Sequence, residues 1–456
     1  MLDYRHLRNR KCLPSTCKMI GAPRHGYTLA PTCPAVADNF SAKSVRPLAF
    51  WPGNRNNGPT DSTNLSFFWA AGQRMRFIHT ADWHLGRLFH GIHLTEDQAY
   101  VLRGQFLDLV RDVKPHAVII AGDIYDRSVP PTESVELFNE LLERLALALR
   151  VPVIFIAGNH DSPQRVAFGA KMFVGANVHV FGNPENPAGC VTLEDEHGKV
   201  VFYAVPYAEP PMIRALLADN AVTDHDRAMR ACLRCIKTAD CRSVLIAHGF
   251  VAGGKSSDSE RLLTVGGSGA VALDAFDGFN YVALGHLHAS QSLDDARRVQ
   301  YCGSPLKYSF SEAEHKKCVH VVEMDAAGAC TVKQHCLKPR RDVRCVEGFL
   351  TDLLTAPPDA ATQEDYLRIT LQDTTALLDP IGKLRQVYPN VLEIDRPMFS
   401  GIGQTGSGSV DARKLTDADL FNAFFTEVTG AAPDAAQGAM YAETVNQLRQ
   451  QQRETV

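Results

Sequence analysis

Residues Ala117–Asp126 read AVIIAGDIYD. An unbroken apolar run that closes on Gly122-Asp123 predicts a strand buried on both faces, as in parallel sheets. Its carboxylate then emerges at the C-terminal edge of the sheet, where open α/β folds place their ligands. One carboxylate at a strand end means little, but the pattern recurs four times on either side. Strand Arg76–Ala81 runs into Asp82-Trp83-His84, and Val153–Ala157 into Gly158-Asn159-His160-Asp161. Strand Ser243–Ala247 runs into His248, and Tyr281–Leu284 into Gly285-His286-Leu287-His288. Edges of this kind, set side by side, would surround a pair of metal ions with Asp123 as the bridge.

Imidazole nitrogens, carboxylates and one amide oxygen form a borderline donor set that suits Mn, Fe, Zn or Co better than Ca. Two divalent ions carry about +4, and two aspartates with a bridging hydroxide return about −3. The remainder, about +1, would hold a phosphodiester. Taken singly, a strand-end Asp is usually a cap or turn former, and a lone His is a surface or core residue. His79 reads as a core histidine. Five such motifs in this order, each after a buried strand, are hard to obtain as separate accidents.

The chain has 456 residues, enough for two or three domains. Its hydrophobic share of 45% and charged share of 21% are those of an ordinary soluble globular protein. The net charge of −4 does not advertise a polyanion partner, so contact with nucleic acid must come from a local basic surface or from the metals. No apolar run approaches the roughly 18 residues that cross a bilayer, and the apolar stretch near Leu65–Ala71 lies too far from the start for a secretory signal. A cytoplasmic protein is expected. The twelve cysteines are scattered and form no disulfide framework. Cys232-Leu-Arg-Cys235, with Cys241 nearby, has zinc-knuckle spacing but no second pair. Met229, Cys232, Leu233 and Ile236 share one helical face, which favours a core role.

Residues 1–74 mix Pro, Gly, Asn and Ser with scattered basic residues and show neither a strand nor a helix period. They read as a disordered or mis-annotated extension, with translation beginning at Met75, or as a transit peptide. From Met75 the chain alternates β-α-β-α-β, which argues for a layered α/β domain over residues 75–339. Thr95–Gln98 fits a capping box opening a helix striped by Leu102, Phe106, Leu109 and Val113. Phe138, Leu141, Leu142, Leu145 and Leu149 stripe the next helix. Val178–Phe181, Val200–Val205, Val299–Cys302 and Val319–Glu323 are further strands, and Asp224–Thr238 is a helix. Residues 340–399 hold strand Tyr366–Leu371, helix Thr375–Val387 and strand Val391–Asp395, a small α+β appendage. Residues 400–414 are a flexible linker. Residues 415–456 form a helix pair whose Leu420, Phe421, Phe424, Phe425, Val428, Met440, Tyr441, Val445 and Leu448 suit docking on a partner helix. Packing back onto the larger domain is the alternative.

One motif points elsewhere. Gly249–Ser256 satisfies the G-x-x-x-x-G-K-S pattern of a nucleotide-binding loop. That mechanism needs a helix N-terminus facing the phosphates. The continuation, SDSERLLTVGGSGAV, shows no amphipathic run, so the segment reads as a loop bordering the metal centre.

The motifs TADWHLG, AGDIYD, AGNHD, AHG and ALGHLH resemble the calcineurin-like metallophosphoesterase superfamily. The tryptophan of DWHLG, the YCGSPLKYSF stretch after GHLH and the segment KLRQVYPNVLEI resemble more narrowly the SbcD-type DNA repair nuclease subunits, from Met75 to near the C-terminus. The resemblance implies a four-layer α-β-β-α sandwich with a small α+β DNA-capping domain. It implies Asp82, His84, Asp123 and His288 on one metal and Asp123, Asn159, His248 and His286 on the other, most simply two Mn2+. His160 would donate a proton or hydrogen bond at the scissile phosphate. Asp126 and Asp161 would orient histidines or stabilise turns, and Arg87, Lys307 and Tyr308 would touch phosphate or sugar. The expected activity is that of a manganese-dependent 3′–5′ exonuclease and an endonuclease. It would act on DNA with an SbcC-type ATPase gripped by the terminal helices, as a homodimer within a heterotetramer. A phosphoesterase for small nucleotides or phosphoproteins, and a catalytically idle scaffold for the ATPase, are the alternatives.

Overall fold

The computed structural model describes residues 74–183, 189–236, 241–261, 269–355, 362–375, 377–396 and 416–454. The expectations for the segment before Arg74 and for the linker over 400–414 lie outside the described residues.

Two six-stranded sheets stack face to face. The first runs in the order Cys330–Cys336, Cys318–Met324, Met75–Thr80, Ala117–Ile120, Val153–Ile156 and Val178–Phe181. The second runs Gln291–Ser292, Val299–Tyr301, Tyr281–Gly285, Arg242–His248, Gly198–Val205 and Gly189–Asp195. The strands that carry the motifs are parallel neighbours: Met75–Thr80, Ala117–Ile120 and Val153–Ile156 in one sheet, Arg242–His248 and Tyr281–Gly285 in the other. Their C-terminal ends therefore lie along one edge of each sheet.

The period of two in a strand sorts these side chains between layers. Ala117, Ile119, Ile154 and Ile156 point to the second sheet, where they meet Val244, Ile246, Tyr281 and Ala283 in one buried cluster. Val118, Ile120, Val153 and Phe155 point the other way, onto Leu102, Phe106, Leu137, Phe138, Leu141 and Leu145 of two flanking helices. Leu245, Ala247, Val282 and Leu284 point outward from the second sheet onto Ile213, Ala228, Ala231 and Cys232 of helices Pro210–Leu217 and His225–Arg234. Three apolar cores between four layers, helix-sheet-sheet-helix, follow directly. Each fully buried aliphatic side chain stabilises this arrangement by about 1.5–3 kcal/mol. Cys232 is buried in the third core, in line with its helical stripe.

Several local expectations are corrected. Thr95 lies inside its helix, whose N-cap is Leu94, a side chain with no acceptor to offer, and the Gln98 side chain is turned to the Trp83 and His84 carbonyls. That helix and the next each contain a wider π-helical stretch, Leu102–Phe106 and Glu143–Ala148. The helix expected over Thr375–Val387 is limited to Pro380–Arg385, started by Asp379, whose side chain accepts from the Gly382 amide. Strands Gly189–Asp195, Cys330–Cys336 and Val343–Gly348 were not foreseen. They lie at sheet edges, where partial exposure removes the continuous apolar signal.

Strands Val343–Gly348, Tyr366–Leu371 and Val391–Asp395 form a separate three-stranded parallel sheet. It has its own core of Leu350, Leu367, Ile369, Leu371, Leu384, Tyr388 and Val391. Val343 and Tyr366 belong instead to the first core of the sandwich, so the appendage is seated on it by apolar contact. Helices Asp417–Thr429 and Ala435–Glu454 follow. Phe421 stacks on Tyr441 with ring centres 4.0 Å apart. No helix among the described residues is long and apolar enough to cross a membrane.

Candidate metal centre

The loops that leave the five strand ends are laced together by the backbone. The amides of Asp82 and His84 donate to the carbonyls of Gly122 (3.1 Å) and Asp123 (3.0 Å). Nδ1 of His248 reaches across from the second sheet to the carbonyl of Ala121 at 2.9 Å, which directs its Nε2 into the site. Asp82, His84, Asp123 and His286 all have positive φ, at 53°, 44°, 49° and 112°. Non-glycine residues rarely adopt that region, and strain of this kind persists only where the surroundings over-determine it. A Cβ on Gly158 would collide with Oδ1 of Asp123, so only glycine lets the two loops close.

The seven candidate ligands converge. Oδ2 of Asp123 lies 3.5 Å from Nε2 of both His84 and His248. Oδ1 of Asn159 sits 2.9 Å from Nε2 of His248 and 3.1 Å from Nδ1 of His286. Nε2 of His84 faces Nε2 of His288 at 3.1 Å. Donor atoms of Asp82, His84 and His288, and of Asp82, Asp123 and His248, form groups each within 4.8 Å. Oδ1 of Asp82 accepts from the His286 amide at 2.8 Å, while its buried Oδ2 has no hydrogen-bond partner. A buried oxygen so placed costs about 1–3 kcal/mol unless a cation meets it. The donor set, its convergence and that orphan oxygen fit a pair of divalent ions.

Charge inside the cluster is uneven. Burial raises the Asp82 carboxyl to about 7. Burial also pushes Asp123 upward, but the neighbouring His248 and His84 outweigh it and hold Asp123 well below the carboxylate range. His248 is drawn down by burial and drawn up more strongly by Asp123, to about 9. His84 and His286 are lowered by burial, His286 to about 3, so both rings present lone pairs at neutral pH.

His160 stands at the rim. Its amide donates to Oδ1 of Asp123 at 2.8 Å, and its Nδ1 meets the backbone carbonyl of Asp126 at 2.8 Å. Nδ1 therefore carries the proton, and Nε2 is left for a ligand. Asp161 accepts from the amides of Gly158, Ile124 and Tyr125, which ties the loop after Ile156 to the loop after Ile120. This is the turn-stabilising alternative. The Asp126 carboxylate holds Arg87 at 2.8 Å and lies 3.8 Å from Nδ1 of His84.

Two expected DNA contacts are corrected. Lys307 directs Nζ inward to the carbonyls of Ala313 and Val343 and to Asp342. Tyr308 is 2% exposed, and its hydroxyl donates to the Trp83 carbonyl. Arg87 keeps one guanidinium nitrogen, Nε, without a partner.

Four residues were missed. Buried Gln98 accepts from the Gly86 amide and donates to the carbonyls of Trp83 and His84, which shapes the loop bearing two candidate ligands. Ser259 donates to Glu312 and accepts from Nδ1 of His288 (2.6 Å), so Nε2 of His288 turns a lone pair to the site. Lys317, buried against Glu312, also donates to the His288 carbonyl. The available signals were slight: Ser259 lies in the loop after Gly249–Ser256, which does border the centre and forms no helix over residues 249–261. Glu312 and Lys317 closely follow the YCGSPLKYSF stretch.

Fold and site together define a calcineurin-like phosphoesterase: the model of that family matches residues 75–290. A second model, described as a type 5 capsule protein repressor C-terminal domain, matches residues 339–429. Over 358 residues the chain is 32% identical to the SbcD subunit of the nuclease SbcCD of Staphylococcus epidermidis, covering 78% of this chain and 94% of that protein. The chain belongs to the SbcD family of nuclease subunits. Among solved structures it is similar to GAP50, the anchor in the inner membrane complex of Plasmodium (13% identity, 59% of this chain and 90% of that one, TM-score 0.33). A dimetal phosphatase from Danio rerio is comparable (13%, 55% and 93%, 0.31).

Proposed function

We propose that this chain is the catalytic subunit of a manganese-dependent DNA nuclease, with 3′–5′ exonuclease and endonuclease activity, that works with an SbcC-type ATPase in processing double-strand breaks. The supporting observation is the meeting of Asp82, His84, Asp123, Asn159, His248, His286 and His288 at the facing edges of two sheets. Asp82, His84, Asp123 and His288 would hold one ion, and Asp123, Asn159, His248 and His286 the other. When bound, such a pair supplies Lewis acidity and charge for in-line displacement at a phosphodiester. The chain's own residues do the rest. With Nδ1 donating to the Asp126 carbonyl, Nε2 of His160 would donate to the scissile phosphate or leaving oxygen only in the doubly protonated ring, which is the form the reading requires. Arg87, anchored by Asp126 with its side chain 19% exposed, would offer the exposed part of its guanidinium to a phosphate oxygen. The sheet over residues 343–395 serves as the DNA cap. The helix pair, with Phe424 and Met440 65% and 71% exposed, serves as the grip for the ATPase coiled coil. Tyr100, Val135 and Leu147, exposed on the two helices of the first layer, suit a homodimer contact.

The deciding experiment is cleavage of blunt-ended and hairpin DNA by purified protein, with and without Mn2+ and the ATPase partner. Mn2+-dependent release of nucleotides, stimulated by the partner, is expected. Release of phosphate from nucleoside monophosphates or phosphoproteins, with DNA left intact, would overturn the reading.

A further inference from the structure

Two consecutive buried residues face opposite ways. Gln98, on the helix Thr95–Val101, holds the Trp83–Gly86 loop by three backbone hydrogen bonds of 2.8–3.1 Å, and its Nε2 also donates to the Tyr308 hydroxyl (3.3 Å). Asp97, next to it and 2% exposed, accepts from the Tyr366 hydroxyl at 2.8 Å and faces the Arg341 guanidinium at 3.4 Å. Tyr366 begins the middle strand of the cap, and Arg341 lies just before its first strand. A second connection runs in parallel. The loop bearing Asp82 and His84 continues into a ribbon, Leu88–Phe89 paired with Ile92–His93. There Phe89 packs on Tyr366, ring centres 6.1 Å apart, and His90 lies 4.0 Å from Glu393 of the cap. The seat is not fully packed. A cavity of about 150 Å³ opens there, lined among others by Leu94, Asp97, Lys317, Arg341 and Tyr366. Close-packed interiors resist displacement, whereas a void beside a polar latch leaves room for one.

We infer that Asp97 and Gln98 are positioning residues that couple the seating of the cap to the shape of the Asp82–His84 loop, so that movement of the cap changes metal affinity at that position. The inference rests on the metal-binding reading of Asp82 and His84. Coupling between two sites is reciprocal: if cap seating alters affinity, bound metal must alter cap seating by the same factor. Neither residue needs to touch substrate for this.

The test uses the full chain and Mn2+ alone. Mn2+ affinity is measured by calorimetry for the wild type, Tyr366→Phe and Gln98→Ala, and hydrogen exchange of the Tyr366–Leu371 amides is followed with and without the ion. Tyr366→Phe deletes only the hydroxyl, so the folded ring stays in its apolar seat even if Gln98→Ala does not fold. The expected result is that one of two Mn2+ affinities falls about fivefold in Tyr366→Phe, the low end of inter-site coupling. The other affinity should hold, and Mn2+ should slow exchange of the cap strand in the wild type but less in the variant. Two ions bound with unchanged affinity in Tyr366→Phe, together with cap exchange indifferent to Mn2+, would overturn the coupling while leaving the metal centre intact. A wild type that binds no Mn2+ would overturn both.

Discussion

Nε2 of His84 and Nε2 of His288, brought from different sheets, face each other at 3.1 Å. The Glu312–Ser259–His288 chain fixes the second ring as the tautomer protonated on Nδ1, so its inward nitrogen carries a lone pair. Burial keeps the first ring neutral. Two such nitrogens can share one proton or, more strongly, one divalent ion.

From this follows a test of the residues behind the ligands. Ser259→Ala removes the acceptor that fixes the His288 ring and leaves every ligand in place. Loss of such an outer partner typically costs about 10- to 100-fold in metal affinity. Calorimetry should show that drop in Mn2+ binding with little change in melting temperature.

His160 has a different signature. His160→Ala should lower DNA cleavage by about 10²–10⁴-fold, the range for a lost proton-transfer group. Metal stoichiometry and DNA affinity should persist, because the bond to Asp123 comes from the backbone amide, which alanine retains. Metal analysis and a filter-binding assay on the variant check both halves.

How far the site could be read in advance depended on where its atoms come from. Asp82, Asp123, Asn159, His248, His286 and His288 sit where apolar strand runs stop, and a parallel sheet aligns such stops by its own geometry. Their convergence was therefore legible, while their roles as ligands stand as the proposal. Gln98 was misread for a physical reason: Thr-x-x-Gln is a cap signal in a free helix, but here the backbone of a loop fifteen residues earlier competes for the amide and wins. Lys307 and Tyr308 were misread because sequence does not tell which way a long side chain turns. The run over Ala117–Ile120 made burial on both faces of the strand legible, while the four layers were expected only from the family resemblance. The half-exposed edge strands were not.

Arg87 offers a separable prediction. Arg87→Ala should raise KM for DNA by several-fold, in keeping with about 1.5–3 kcal/mol for a charged hydrogen bond reduced by its partial exposure. Turnover at saturating DNA should change less, and steady-state kinetics on a short duplex distinguishes the two effects.

The sandwich core sets a pH dependence away from the metals. His79 and His320 are neighbours between the sheets, their ring centres 5.8 Å apart. Burial, then the charge of His320, lowers His79 well below its ordinary value, and burial lowers His320 to about 4. In the unfolded chain both titrate near 6.5, so between the folded and unfolded values the unfolded state binds more protons. Stability is complete above about pH 6.5 and is lost as pH falls below it, by up to about 1.4 kcal/mol per unit per ring. Urea unfolding in chelator at pH 7.5 and pH 5 should show a slope of this sign, and His320→Gln should reduce it, leaving the share of His84 and His286, which burial lowers in the same direction.

Each proposed ion draws ligands from both sheets: Asp82, His84, Asp123 and Asn159 from one, His248, His286 and His288 from the other. A cation there is a rivet through the two halves of the sandwich as well as a reagent. Pulled apart by their ends in a single-molecule tether, the two sheets should part at lower force once a chelator has stripped the metal, and mechanical strength would then report site occupancy without any turnover.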